Sequence, residues 1–337
     1  MEKNYQVVFS AKNQVELAEV PMPAVADDEV MIRSLVSQIS MGTELTRLEG
    51  NVEEGTAWEK ELVYPIYPGY SNTGEIIAVG KNIDSSLLGK KVLSQGRHVK
   101  YFSVAGKENY YILPENVDIN ESVFGIMAQI SLGGVRAAQI KLGETVLVFG
   151  AGLIGQLTAR LAKTAGALNV IVADISDLRL SMLPDNDSFI PVNTLKENVQ
   201  EIIAKINNGK LADVVFETTG AQSLMQTEIE CVNEGGRMIV TGSPKGRSNV
   251  DFDYLNRKAI TVIGAHNYHI HPAVETTFNP WTRQNDTKYF LNLISREDLS
   301  LTKMITHKAS YKDAENTYKM LKEDKANALA VHFYWED

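Results

Sequence analysis

Apolar and polar residues alternate in short runs over the first third of the chain, and that period-two pattern predicts strands. Tyr5–Ser10 and Val15–Val20 read as a hairpin pair, followed by a turn at Pro21-Met22-Pro23. Val30–Val36, Gly74–Val79, Lys91–Ser94 and Tyr110–Leu113 continue the β pattern. The middle third changes character. Glu121–Ile140 reads as one helix despite Gly133-Gly134, and it leads into the apolar strand Thr145–Phe149. Helices over 156–165, 177–183, 197–206 and 223–232 then alternate with strands at Asn169–Ala173, Phe189–Pro191, Asp213–Glu217, Arg237–Thr241 and Ala259–Ile263. Such alternation predicts a doubly wound parallel sheet with ligand at the carboxyl ends of its strands. Helices at Asp286–Ile294 and Lys312–Glu323 precede a last strand, Ala328–Tyr334. That strand has no partner in the parallel-sheet pattern and is expected in the β-rich part.

One junction carries chemistry. The strand ending at Phe149 runs into Gly150-Ala151-Gly152-Leu153-Ile154-Gly155, a G-x-G-x-x-G at the start of a helix. Gly150 permits the tight turn, Gly152 lets a pyrophosphate approach the backbone, and Gly155 allows close packing of helix on strand. The amides of Leu153 and Ile154 would sit at a helix N-terminus, which favours an anion. Asp174 ends the next strand, where a carboxylate accepts from a ribose 2′-hydroxyl and repels a 2′-phosphate. The expected cofactor is therefore NAD rather than NADP. Thr218, Thr219, Gly242, Ser243 and Ala265 end or follow later strands of the same sheet and are further candidates for contact with it.

Bulk properties narrow the partners. The 337 residues suffice for two cores, and a net charge of −9 with no Lys/Arg block argues against nucleic-acid or anionic-membrane binding. Cys231 is the only cysteine, which excludes an intrachain disulfide and a cysteine-rich zinc lobe. Residues 1–6 lack the apolar core of a signal peptide, and no apolar run is long enough to span a bilayer, so a cytoplasmic protein is expected.

The motifs Ser40-Met41-Gly42-Thr43-Glu44-Leu45, Pro68-Gly69-Tyr70-Ser71-Asn72-Thr73-Gly74-Glu75, Val79-Gly80 and Gly89-Lys90-Lys91-Val92 precede the glycine loop. Asp213-Val214-Val215-Phe216-Glu217-Thr218-Thr219-Gly220 and Glu234-Gly235-Gly236-Arg237 follow it. In this order they resemble the medium-chain dehydrogenase/reductase superfamily, in its alcohol and polyol dehydrogenase branch, over essentially the whole chain. The resemblance implies an α/β protein with two domains: a GroES-like β-rich domain (1–122 and 286–337) and a Rossmann domain (123–285), with the active site between them. It also implies a small alcohol or ketone substrate and a homodimer or tetramer.

The chain departs from that family where zinc would bind. The family's C-G-[ST]-D is Met41-Gly42-Thr43-Glu44 here, its G-H-E is Gly69-Tyr70-Ser71, and Phe124–Gln129 contains no Cys, Glu or His. Zinc sites use about three N, S or carboxylate ligands, so neither a catalytic nor a structural zinc is expected. Without one, a side chain must hold the developing alkoxide and exchange its proton. Tyr70 is the first candidate for that donor or acid/base, or else an aromatic filling the vacated pocket. Thr43 matches the family's proton-relaying Ser/Thr, and Glu44 would orient its neighbours.

His266, His269 and His271 follow the last strand of the alternating region. His266 could contact the nicotinamide or act as a base, or all three could be surface or interface residues. If the segment is extended, His266 diverges from the other two, which disfavours a metal cluster. Trp281-Thr282-Arg283 either reaches a polar substrate or packs on the domain surface. The leading expectation is a zinc-independent, NAD-dependent oxidoreductase interconverting a secondary alcohol and a ketone, on a sugar, polyol or similar compound. The alternatives are a quinone or enone C=C reductase and a non-catalytic NAD(H)-binding protein.

Overall fold

The computed structural model describes residues 2–336. Seven strands come first: β1 (Asn4–Ala11), β2 (Gln14–Val20), β3 (Glu29–Gln38), β4 (Asn72–Val79), β5 (Lys91–Ser94), β6 (Tyr101–Ala105) and β7 (Tyr110–Ile112). Six follow in the middle: β8 (Thr145–Phe149), β9 (Asn169–Asp174), β10 (Phe189–Asn193), β11 (Ala212–Glu217), β12 (Val232–Val240) and β13 (Thr261–Gly264). Two close the chain, β14 (Ile305–Ser310) and β15 (Ala330–Tyr334). Contacts divide the molecule into two compact units, 1–126 with 287–337, and 127–286.

In the first unit β1 and β2 form the expected hairpin, and the main sheet runs β14-β15-β3-β4-β5-β7, with β6 also paired to β3. The last strand lies in this sheet beside β14, a strand that the pattern did not predict. β15 lies parallel to β14, with Ile305 opposite Ala330 and Ser310 opposite Tyr334, and antiparallel to β3. The pattern hid β14 because Ile-Thr-His-Lys-Ala-Ser is half exposed and mostly polar. The core of this unit centres on Phe9, Leu48, Tyr311, Tyr318, Phe333 and Trp335. Tyr318 meets Phe9 edge-on at 5.1 Å, and Tyr311 stacks on Trp335 at 4.7 Å.

The second unit is a doubly wound sheet of order β10-β9-β8-β11-β12-β13 with every pairing parallel. Val146, Leu147, Val148, Val214, Val215 and Phe216 are wholly buried, which is why these strands read as unbroken apolar runs. The order reverses between β8 and β11, so a crevice opens beyond their carboxyl ends.

The single helix expected over 121–140 is two, Ile119–Ser122 and Gly125–Ala138. Chemistry local to the first unit explains the break. The Glu121 carboxylate accepts from the backbone amides of Leu301 at 2.7 Å and Thr302 at 2.8 Å, and the Val123 carbonyl accepts from the Ser71 hydroxyl. Gly133 and Gly134 are close-approach positions: a Cβ would lie 2.6 Å from Ile270 Cγ2 at the first and 2.6 Å from Thr241 Oγ1 at the second. No helix among the described residues is long and apolar enough to cross a membrane.

Candidate active site

In the doubly wound unit the glycine loop has the geometry a dinucleotide needs. Gly150 has φ of +95°, a conformation that side chains disfavour, and its amide donates to Ala173 O at 2.7 Å. A Cβ on Gly155 would lie 1.7 Å from Gly150 O, so only glycine fits there. A Cβ on Gly152 would meet nothing within 4 Å, so the loop faces open space at that point. Gly152 is the N-cap of the helix Leu153–Thr164 and supplies no side-chain cap. The first-turn amides of Leu153 and Ile154 therefore lack intrahelical acceptors, as a phosphate site requires.

Asp174 lies beside this loop. Its Oδ2 accepts from the Ala151 amide at 2.6 Å and its Oδ1 from the Ser176 amide at 2.8 Å. Both oxygens are thereby oriented, and each keeps a lone pair for a ribose hydroxyl. Thr218 turns its hydroxyl inward, donating to Phe149 O at 2.7 Å, so it braces the β8–β11 crevice. Thr219 donates to Glu217 Oε1 at 2.8 Å, and the Gly220 amide donates to the same oxygen at 2.6 Å. Gly242 sits against the other oxygen of Glu217, where a Cβ would be 2.4 Å away. Ser243 is exposed, and Ala265 is buried with its amide donating to Val240 O.

His266 also belongs to this unit, but the segment after β13 is not extended. Asn267–Ile270 form a short helix, so residues three apart come together: the rings of His266 and His269 are 5.3 Å apart, and both are exposed. His271 instead turns inward, with Nε2 3.1 Å from Gln129 O and Nδ1 3.3 Å from the buried Asp286. The expected divergence of His266 from the other pair is thus replaced by divergence of His271. Trp281 lies under the Arg136 guanidinium at 3.5 Å, and Arg283 lies over the Tyr268 ring at 4.8 Å.

The β-rich unit brings Tyr70, Thr43 and Glu44 together. Ser40, N-cap of the helix Met41–Glu49, makes no side-chain cap bond. Its hydroxyl instead meets the Tyr70 hydroxyl at 2.6 Å, and the Thr43 side chain lies against the same phenol. Burial, together with the nearby Glu44 charge, holds the Tyr70 phenol above its ordinary range, so it stays protonated and able to donate. Glu44 is 1% exposed, and it accepts from the Ser40 amide at 2.8 Å, from His98 Nε2 at 3.1 Å and from the Tyr318 hydroxyl. Burial alone would raise the Glu44 pKa, but the His98 charge and these three donors outweigh it and hold the carboxyl below its ordinary range. Sequence reasoning did not single out Ser40, His98 or Tyr318. The signal for Ser40 was its place ahead of a helix, a capping position that the structure puts to another use.

At the positions where the family's zinc ligands would stand are the Met41 thioether, the Tyr70 phenol bonded to Ser40, and the Ser71 hydroxyl bonded to Val123 O. Among the described residues no group of three or more His, Cys, Asp or Glu side chains converges to hold a metal.

Known proteins resemble this architecture over its full length. Residues 154–282 match the zinc-binding dehydrogenase family. L-threonine 3-dehydrogenase of Escherichia coli O139:H28 is 22% identical over 96% of this chain and 97% of its own. Galactitol-1-phosphate dehydrogenase from Escherichia coli superposes with a TM-score of 0.82 at 21% identity, covering 98% of this chain and 99% of that one. A short chain alcohol dehydrogenase from Escherichia coli CFT073, solved with its cofactor NADH, gives 0.83 at 19% identity over 99% and 100%. The expected pairing of a GroES-like domain with a Rossmann domain is therefore the fold observed. By sequence over its nucleotide-binding part and by fold throughout, the chain is similar to the zinc-binding dehydrogenases of the medium-chain dehydrogenase/reductase superfamily, which supports an oxidoreductase related to those that act on alcohols.

Proposed function

We propose that this protein is a zinc-independent, NAD(H)-dependent oxidoreductase that interconverts a secondary alcohol and a ketone on a sugar, polyol or similar polyhydroxylated compound. The observation that carries the reading is the Tyr70–Ser40 hydroxyl pair, a protonated donor above a buried carboxylate where the family has a zinc ligand. The donor set there does not fit zinc: a thioether, a phenol engaged with a serine and a hydroxyl engaged with a carbonyl lack the N, S or carboxylate chemistry such sites use.

The residues of the glycine loop fit NAD. Gly152 and the Leu153 and Ile154 amides would receive the pyrophosphate, and Asp174 the ribose hydroxyls. When bound, the nicotinamide accepts or supplies the hydride. The protein's own part in ketone reduction is to hold the substrate oxygen, with Tyr70 donating to it as charge develops and passing over its proton. Ser40 fixes the direction of that donation. His266, exposed after β13, would contact the nicotinamide. The polyhydroxylated substrate class is supported by the shared fold of galactitol-1-phosphate dehydrogenase. The single buried Cys231 suits the cytoplasm. The open edge of β13, with Val262 44% exposed, suits a dimer or tetramer.

The test begins with titration of NADH and NADPH followed by nicotinamide fluorescence, in wild type and Asp174→Ala. NADH preference that Asp174→Ala abolishes is expected, and NADPH preference would favour an enone reductase. A panel of sugars and polyols then reports turnover, which Tyr70→Phe should lower about 10²–10⁴-fold with NADH binding intact. NADH binding without turnover on any alcohol, ketone or enone would identify a binding protein instead.

A further inference from the structure

We infer that His98 is a positioning residue for Tyr70: it clamps the buried Glu44 carboxylate and also supports the backbone turn that carries the phenol, so it sets where Tyr70 points. The inference rests on the reading of Tyr70 given above, and it assigns a role to a residue that no motif marks.

Two routes lead from His98 to Tyr70. The first passes through Glu44. His98 Nε2 donates to Glu44 Oε2 at 3.1 Å, and the Tyr318 hydroxyl donates to the same oxygen. Glu44 Oε1 accepts from the backbone amide of Ser40 at 2.8 Å, and the Ser40 hydroxyl meets Tyr70 at 2.6 Å. Ser40 is thus held at its backbone by one group and presents its side chain to another. The second route is direct. The His98 amide donates to Pro68 O at 3.0 Å, just ahead of the turn that carries Tyr70. Gly69 has φ of +91°, and a Cβ there would lie 2.5 Å from the His98 backbone nitrogen and 2.9 Å from the His98 ring. The Pro68-Gly69-Tyr70 turn therefore rests on His98 with no space between them.

His98 is itself fixed on every side. Nδ1 meets the Ser37 hydroxyl at 2.7 Å, and that hydroxyl accepts from Trp335 Nε1 at 2.9 Å. The imidazole meets Phe333 edge-on at 5.2 Å, and the residue is wholly buried. Each polar atom of the His98–Glu44 pair has a partner, which is the condition for a buried network to hold one geometry. Loss of the His98 donor leaves a buried carboxylate short of a partner, and the carboxylate must move or take up a proton.

The test labels the protein with 3-fluorotyrosine and follows the ¹⁹F resonance that disappears in Tyr70→Phe. His98→Leu and Glu44→Gln should shift and broaden that resonance in folded protein, as near-UV circular dichroism and NADH binding verify. His98→Gln, which keeps an N–H able to reach Glu44, should restore it toward the wild-type position. With a turned-over polyol, His98→Leu should lower kcat about 10²-fold with little change in KM, as misplacement of a catalytic group does. An unmoved Tyr70 resonance in folded His98→Leu and Glu44→Gln overturns the inference. If His98→Leu does not fold, the resonance in Glu44→Gln and Tyr318→Phe decides the same question. Unchanged turnover in Tyr70→Phe would instead overturn the catalytic reading, whatever the resonance does.

Discussion

Replacing Glu228 by Gln should stabilise the protein, and increasingly so as pH rises. Glu228 is wholly buried on the helix Met225–Glu230, and neither carboxylate oxygen has a hydrogen-bond partner. Burial, reinforced by the charge of Glu217, pushes its pKa up from 4.5 to about 9. An acid raised in this way is protonated in the folded state over a range where the unfolded chain has released its proton. Its contribution to stability is full below the unfolded pKa and is lost as pH rises toward the folded one, at about 1.4 kcal/mol per pH unit. At about pH 7.5 the cost is about 4 kcal/mol, a large fraction of an ordinary domain's stability. Gln fills the same volume and removes the ionisation. Urea unfolding of wild type and Glu228→Gln, followed by circular dichroism at about pH 5.5 and about pH 8, should show the gap between them widening by about 3 kcal/mol. Parallel stability profiles for the two proteins across that range would refute the reasoning.

His332 should govern the acid side. Burial, with the Lys308 charge, pushes its pKa down to about 3 against an opposing pull from Asp118, and neither ring nitrogen has a partner. The folded state holds it neutral, so stability falls by about 1.4 kcal/mol per unit as pH drops below the ordinary histidine value, and His332→Phe should flatten that limb in acid titrations. Two of the three loop glycines should separate fold from binding. Gly152→Ala, with open space at its Cβ, should leave the melting temperature unchanged and weaken NADH about tenfold or more in fluorescence titration. Gly155→Ala, 1.7 Å from Gly150 O, should lose about 1–3 kcal/mol of stability together with NADH binding.

The parallel unit was legible almost strand by strand, because a strand buried on both faces shows up as an apolar run such as Val146–Phe149 with glycine or polar residues after it. Two half-exposed strands were not. β6 and β14 alternate weakly, and only their neighbours make them strands. At the candidate site, Tyr70, Thr43 and Glu44 were found because they stand in family motifs, Tyr70 where the motif places a zinc ligand and Thr43 where it keeps a Ser/Thr. Tyr318 lies 274 positions from Glu44, and His98 lies 54, so only the fold brings them to it. The histidines after β13 were misread because extended geometry was carried past the end of the strand, where a helical turn takes over.

The place of β15 between β14 and β3 has a consequence for synthesis. Gln38 on β3 donates to Val331 O across 293 residues of sequence. During translation, β3 emerges early and its Val36–Gln38 end stays without its β15 partner until the ribosome has passed β15, whereas all six strands of the second unit are contiguous and can close without waiting. A frameshift or stop that removes β15 would therefore extract an interior strand, detach β14, and expose the β3 edge to other nascent chains. A short, late-emerging segment decides whether β14 joins the first sheet and whether that end of β3 is covered.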